Sequence, residues 1–248
     1  MTSDPFDLGG KVAIVTGAGS GIGQATAQRF AERGATVIGV DVKNTDVTCD
    51  VSDRAAVHAL VDDVVRRHGH LDVMCNIAGI MHDSSVLETE EADLDRVLAT
   101  NFKGVLWGCQ AAGRKMVEQG SGSIINAAST AIDMGAPNLI CYSSAKAAVT
   151  ILTKTMATEV GPSGVRVNAV APGYIATGMT AGRFVREDGS VDDEGRDRLH
   201  KLMASMAPLR RIGAPDDIAW SIVYLASDAS SFVTGQIIRP NGGASMPW

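Results

Sequence analysis

Apolar residues come in short blocks, separated by longer stretches in which they recur every three or four positions. The block Val12-Ala13-Ile14-Val15 is rich in β-branched side chains and reads as a strand buried on both faces. Residues 22–33 follow with helical spacing, and Gly34 stands where a helix-ending glycine belongs. The alternation repeats along the chain. It predicts further strands over 36–40, 47–49, 71–74, 123–127, 165–169 and 235–239. It predicts helices over 53–68, stopped by Gly69, over 94–119 with a break near Phe102 to Gly104, over 143–160 and over 216–225. Strand–helix alternation over the whole length predicts an α/β fold, one doubly wound parallel sheet of about seven strands with helices on both faces. Right-handed crossovers place every helix N-terminus at the carboxyl edge of the sheet, where ligands bind.

One segment departs from this rhythm. Residues 174–208 carry a mixed-charge run, RFVREDGSVDDEGRDRLHK, among apolar residues such as Met179, Phe184 and Met203. The segment is too long for a plain connection and reads as a helical lid within a single domain spanning 1–248. The plainer alternative is a solvated surface excursion.

Composition narrows the function classes. With 248 residues, 45% of them hydrophobic, the chain needs no disulfide or structural metal to build a core. A net charge of −6 repels phosphate backbones, so nucleic acid is not the expected partner. Cys49, Cys75, Cys109 and Cys141 form no CxxC pair, so no metal site is expected. No apolar run long enough to span a bilayer occurs, and MTSDPFDLGG lacks the pattern of a signal peptide. A soluble cytoplasmic protein without membrane partners is the expectation.

The first strand–helix turn carries candidate chemistry. It reads Thr16-Gly17-Ala18-Gly19-Ser20-Gly21-Ile22-Gly23. Glycines allow the tight turn and the close approach of a pyrophosphate to Gly17, Gly19, Ser20, Gly21, Ile22 and Gly23. The helix N-terminus then offers free N–H groups and partial positive charge to the phosphates. Asp41 ends the second predicted strand, where an acidic residue would hold a ribose diol. A carboxylate at that point favours NAD over NADP, since a 2′-phosphate would face a like charge. Lys43 is the one nearby cation.

Tyr142 and Lys146 stand four apart at the start of a predicted helix and share one face. A Lys⁺ beside a phenol favours the phenolate and can bring the Tyr pKa down toward working pH. Such a Tyr can exchange a proton with a reacting oxygen. Ser129, just past the strand ending at Ala127, could bond the same oxygen, and Asn101 could support a proton relay. Taken alone, the Tyr–Lys pair is an ordinary surface helix pair.

Together these motifs resemble the short-chain dehydrogenase/reductase family, from about Lys11 to Gly243. Thr16–Gly23 is similar to its TGxxxGxG segment. Asp50-Val51 matches an acidic-apolar pair near the adenine. Asn76-Ile77-Ala78-Gly79 matches NNAG, with Ile77 in place of the second Asn. Asn101, Ser129, Tyr142 and Lys146 match the catalytic tetrad in order and spacing. Pro172-Gly173, with Ile175 and Thr177, matches the loop beside the nicotinamide, and GAPDDIA at 213–219 matches the segment after the lid.

The resemblance implies a Rossmann-like fold and hydride transfer between NAD and a secondary alcohol or ketone. It makes Tyr142 the general acid/base, Ser129 the group that positions the substrate oxygen, and Asn101 the group that orders a relay water. Lys146 would lower the Tyr142 pKa and hold the nicotinamide ribose. It also implies a homotetramer assembled through the helices at 94–119 and 143–160 and the C-terminal strand. The alternatives are reduction of a 3-oxoacyl thioester and a dinucleotide-binding protein without turnover.

Three departures stand out. Ile77 lacks the polar contacts of an Asn and is expected to loosen that strand end. Asn241 stands before the two glycines where many members have Asp. Asp41 and Asp50 are nine apart, leaving room only for a short loop, a shortening that some dihydrodiol dehydrogenases share. His68 and His70 read as part of a basic helix end, His82 as a loop histidine near the substrate side, and Cys141 as an inert thiol.

Overall fold

Strands that are apolar on both faces need cover on both faces, and a parallel sheet between two helical layers supplies it. The computed structural model describes residues 4–185 and 188–247. Its strands are β1 (Val12–Thr16), β2 (Thr36–Asp41), β3 (Val47–Thr48), β4 (Val73–Asn76), β5 (Gly122–Ala127), β6 (Val165–Val170) and β7 (Ile237–Ile238). All pairs are parallel, in the order β3-β2-β1-β4-β5-β6-β7. The order reverses between β1 and β4, so the chain leaves both strands in opposite directions and opens a crevice at their carboxyl ends.

Alternate side chains of each strand feed two cores. Ile14, Met74, Ile124 and Val167 pack on one face against α2 (Arg54–His68), α4 (Gly104–Gln119) and α5 (Ile140–Val160). Val15, Cys75 and Ile125 pack on the other against α1 (Gly21–Glu32) and α8 (Pro215–Ala226), with Phe30, Ile218 and Ile222 fully buried. Asp53 caps α2 by accepting from the amides of Ala55 and Ala56, and Gly69 ends it at φ 83°. That glycine, and the basic last turn before it, are as the sequence leads one to expect.

Several boundaries differ from the expectation. β4 begins at Val73 rather than Leu71, because its ladder starts opposite Ala13 of β1. Leu71 is instead fixed by the Gln119 side chain, and the Asp72 carboxylate accepts from the Val12 amide at 2.7 Å. α5 starts three residues early, at Ile140, so Tyr142 lies inside its first turn. The long stretch expected over 94–119 begins at Glu91 as α3 (Glu91–Leu98) and joins α4 through a π-helical turn, Ala99–Lys103. β7 is cut to two residues by Gly235, which bends at φ 71°, and by Pro240 beyond. Residues 174–208 contain α6 (Gly178–Ala181) and α7 (Asp193–Met206); the part of that expectation falling on Arg186 and Glu187 lies outside the described residues. Among the described residues no helix is long and apolar enough to cross a membrane.

A buried polar chain ties the sheet to α5. Asn76 of β4 donates to Asn126 of β5 at 2.9 Å, Asn126 donates to the Thr153 hydroxyl at 3.0 Å, and Thr153 donates to the Val149 carbonyl at 2.8 Å. All three side chains are buried. Asn126→Ala leaves both neighbours without their partner in a dry interior. It is expected to lower unfolding free energy by about 1–3 kcal/mol, read as a drop in the urea midpoint with an unchanged slope.

Candidate active site

The glycine turn is shaped by close approach. Gly17 has φ 75°, and a Cβ there would come within 2.8 Å of the Ala78 amide nitrogen. A Cβ on Gly23 would run into the Gly17 carbonyl. The turn therefore lies flat between β1 and the loop after β4. Ser20 precedes α1 in extended conformation without a side-chain cap, and no acidic residue occupies the first helical turn. The N-terminus of α1 is thus left open to an anion.

A cavity of about 340 Å³ runs along this turn. Gly17, Ser20, Gly21, Ile22 and Gly23 form one side; Asp41, Asp50 and Val51 close one end, and Ala78, Gly79 and Thr177 the other. Asp41 accepts from the Gly19 amide at 3.0 Å and the Val42 amide at 2.7 Å, which fixes its carboxylate at the rim with lone pairs to spare. Asp50 holds the backbone and hydroxyl of Ser52. No Lys or Arg among the described residues lines this cavity. As expected, only a short loop and β3 separate Asp41 from Asp50.

The second cavity, of about 490 Å³, continues from the first: Ile22, Ile77, Gly79, Thr177 and Met179 line both. At its base stand Ser129, Tyr142 and Lys146. Lys146 is buried and donates to the Ala127 carbonyl at 2.7 Å, and desolvation lowers its pKa to about 8. Its Nζ sits 5.7 Å from the centre of the Tyr142 ring. Burial raises the Tyr142 pKa, and a hydrogen bond with Ser129 pulls the other way. Desolvation outweighs that bond, so the phenol shifts upward, opposite to the direction anticipated from the sequence.

Asn101 is fully buried in the π-helical turn, where the extra residue swings it inward. Its Nδ2 donates to the Ile80 carbonyl and its Oδ1 accepts from the Ile80 amide, both at 2.8 Å. It fixes the backbone beside Gly79, whose Cβ position would lie 3.2 Å from Asn101 Oδ1 and 3.7 Å from Lys146 Nζ. The break near Phe102 to Gly104 was the visible trace of this turn.

The remaining expected residues divide. Pro172 accepts from both the amide and the hydroxyl of Thr130, tying the end of β6 to the Ser129 loop. Gly173 backs onto Asn241, and Ile175 and Thr177 line the second cavity. Asn76 is not brought to either cavity; its amide is spent on Asn126. The loosening expected from Ile77 does not occur. The Thr16 hydroxyl accepts from the amides of Ile77 and Ala78 at 3.0 and 3.2 Å, and the Ile77 side chain joins the core. Asn241 uses both ends of its amide, donating to the Ser245 carbonyl and accepting from the Gly243 amide, a pattern an Asp could not make. His82 pairs with Asp93 at 3.2 Å and His70 with Asp72 at 3.2 Å. Among the described residues no cluster fit to hold a metal occurs, and all four cysteines are free and buried.

The empty space suits a dinucleotide on this protein's own terms: glycines where a Cβ would fill the cradle, an uncapped helix N-terminus, and a carboxylate at the far end.

Comparison with known proteins fits these features. A family described as enoyl-(acyl carrier protein) reductase matches residues 17–245. The 3-oxoacyl-[acyl-carrier-protein] reductase FabG of Thermotoga maritima is 38% identical over 253 residues, covering 95% of this chain and 98% of that protein. D-Threitol dehydrogenase of Mycolicibacterium smegmatis is 35% identical over 258 residues, covering 97% and 95%. The crystal structure of levodione reductase superposes with a TM-score of 0.89 at 33% identity, covering 97% of this chain and 99% of that one.

One supporting group left no trace in the sequence motifs. Arg239, just past β7, forms a two-bonded ion pair with Asp133 at 2.9 and 3.0 Å, and the Ser245 hydroxyl adds a third bond at 2.9 Å. This ties the loop after Ser129 to the C-terminal tail. The Arg239 guanidinium holds the Asp133 pKa below its usual value. A depressed carboxylate contributes stability that is complete above its unfolded pKa and is lost as pH falls through the native one. Arg239→Met is expected to cost about 1–3 kcal/mol at neutral pH. Urea midpoints of the two proteins should converge as pH is lowered through the carboxylate range.

Proposed function

The chain belongs to the short-chain dehydrogenase/reductase family, an oxidoreductase acting on secondary alcohols and ketones with a nicotinamide cofactor, and we propose that NAD(H) is that cofactor and Tyr142 its proton-transfer partner. The observation that carries the reading is the continuity of the two cavities, one ending on Asp41 and the other on Ser129, Tyr142 and Lys146. Gly17, Ser20, Gly21, Ile22 and Gly23 would cradle the pyrophosphate through the turn and its backbone amides, with Gly19, whose amide is bonded to Asp41, shaping the turn. Asp50, Val51, Ala78 and Gly79 would flank the adenosine and nicotinamide ribose, and Pro172, Gly173, Ile175 and Thr177 the nicotinamide. The bound nicotinamide supplies the hydride acceptor or donor.

The chain's own residues manage the proton. Ser129 and Tyr142 offer two hydroxyls to one substrate oxygen. In oxidation, Tyr142 takes the carbinol proton; in reduction, it returns a proton to the ketone oxygen. Lys146 stabilises the phenolate electrostatically while Ala127 keeps its ammonium in place. Asn101 positions Gly79 and the backbone beside Lys146.

The lid reading supports closure: α6 and α7 bring Met179, Leu199, Met203 and Met206 over the second cavity, and such closure would exclude water. Homotetramer assembly is supported by exposed apolar side chains on the expected faces. Ile151 of α5 is 63% exposed, and Phe232, beside the edge strand β7, is fully exposed. Free buried thiols fit a reducing cytoplasm. The likeness to a 3-oxoacyl-[acyl-carrier-protein] reductase favours one second reading, reduction of an acyl thioester.

Tyr142→Phe keeps the ring but removes the proton group. Its kcat should fall roughly 10²–10⁴-fold while NADH still binds, as followed by nicotinamide fluorescence. For the cofactor, kcat/KM with NAD should exceed that with NADP by at least about tenfold, or ~1.4 kcal/mol. Asp41→Ala should narrow the gap, because a 2′-phosphate would no longer meet a carboxylate. Equal use of both cofactors by the unaltered protein would remove Asp41 from this role.

A further inference from the structure

The second cavity is lined mostly by apolar side chains, with a pair of hydroxyls, Ser129 and Tyr142, at one place. Its wall carries five methionines, Met81, Met134, Met179, Met203 and Met206, together with Leu139 and Leu199. Among the described residues no carboxylate, arginine or histidine lines it; its one cation is Lys146, already bonded to Ala127. The protons of the Thr130 and Thr180 hydroxyls are committed elsewhere. Thr130 donates to the Pro172 carbonyl at 3.1 Å, and Thr180 shares its one proton between the carbonyls of Ile175 and Thr177, both at 3.0 Å. The Thr177 hydroxyl accepts from the Thr180 amide as a helix cap. The Tyr174 hydroxyl is buried out of solvent reach, with the ring set edge-on to His200. Ser129 accepts from the Ala131 amide at 3.2 Å in the same way, and with Tyr142 it forms the paired hydroxyls of the wall.

From this arrangement we infer that the substrate is a hydrophobic secondary alcohol or ketone, alicyclic or aryl, whose reacting oxygen is its single polar function. The inference rests on the proposed function and names the substrate class of the same site. A polyol would bring several hydroxyls against a wall with few groups to pair them, and most would lose hydration without full replacement. A carboxylate would lose more. The amides of a carrier-type arm would meet the same apolar lid. Methionine side chains are unbranched and polarisable, so they adapt to rings and make favourable sulfur–aromatic contacts. An acyl chain of one fixed shape has less need of five of them.

The test is a substrate panel with NAD: cyclohexanol, 1-phenylethanol and indan-1-ol against D-threitol, 3-hydroxybutyrate and the N-acetylcysteamine thioester of 3-hydroxybutyrate. The best apolar alcohol should exceed each of the other three in kcat/KM by about a hundredfold or more. Met203→Gln places an amide in the lid wall. It should raise KM for the apolar alcohols by about tenfold, with kcat within about twofold and the NADH dissociation constant unchanged. A preference for threitol, the acid or the thioester overturns the inference and leaves the oxidoreductase reading standing. So does the absence of turnover of the apolar panel by protein that binds NADH. Failure to bind NADH or NADPH, with no turnover of any substrate, overturns the proposed function and the inference with it.

Discussion

An ammonium group removed from water organises this site. Lys146 is buried, and the Ala127 carbonyl at the end of β5 is its hydrogen-bond acceptor in the chain. A lone charge in such a place is costly, and the pKa of the group moves down to about 8 to match. Between that value and the ordinary lysine pKa of about 10.4 the unfolded chain binds more protons than the native one, so stability rises with pH across that window. At neutral pH the buried charge works against folding. On the proposed reading, it is kept because the Tyr142 phenol needs a positive neighbour.

The surroundings of Lys146 explain how the fold sustains this. The buried chain from Asn76 through Asn126 to Thr153 locks α5 against β4 and β5 about two turns along the helix from Lys146. Asn101 fixes the backbone at Ile80 on its other side. Thr130 and Pro172 join the strand ends that carry Ser129, and Asp133 with Arg239 anchors the loop beyond. Each contact constrains backbone near the reacting end of the cavity, while the far wall is built from flexible methionines. Rigidity is concentrated where the proposed proton transfer needs defined geometry, and compliance where the inferred apolar body would fit.

Much of this was legible in the sequence, because it follows from local rules. Burial on two faces is written into blocks such as Val12–Val15, and helix ends into Asp53, Gly34 and Gly69. The glycine turn and the four-residue spacing of Tyr142 and Lys146 are local patterns with direct geometric meaning. What escaped depends on contacts between distant residues. β4 was displaced by two because its start is set by pairing with β1, not by its own composition. Asn76 looked like a site residue, but a partner 50 positions away draws its amide into the core. The clamp of Thr16 on Ile77 and the pairing of Asp133 with Arg239 join positions 61 and 106 apart. The phenol pKa was read from its cationic neighbour alone, whereas burial, invisible in sequence, decides its direction.

The central claim is that the Lys146 ammonium holds the proton affinity of Tyr142 below what burial alone would give it. It is tested most directly by the pH dependence of kcat/KM for alcohol oxidation in the unaltered protein and in Lys146→Met. The acidic limb belongs to the coupled pair. Removing the ammonium leaves a buried phenol with no nearby cation, so the limb should move to higher pH by at least about one unit. A limb at the same pH in both proteins, whatever the loss in rate, would contradict the account.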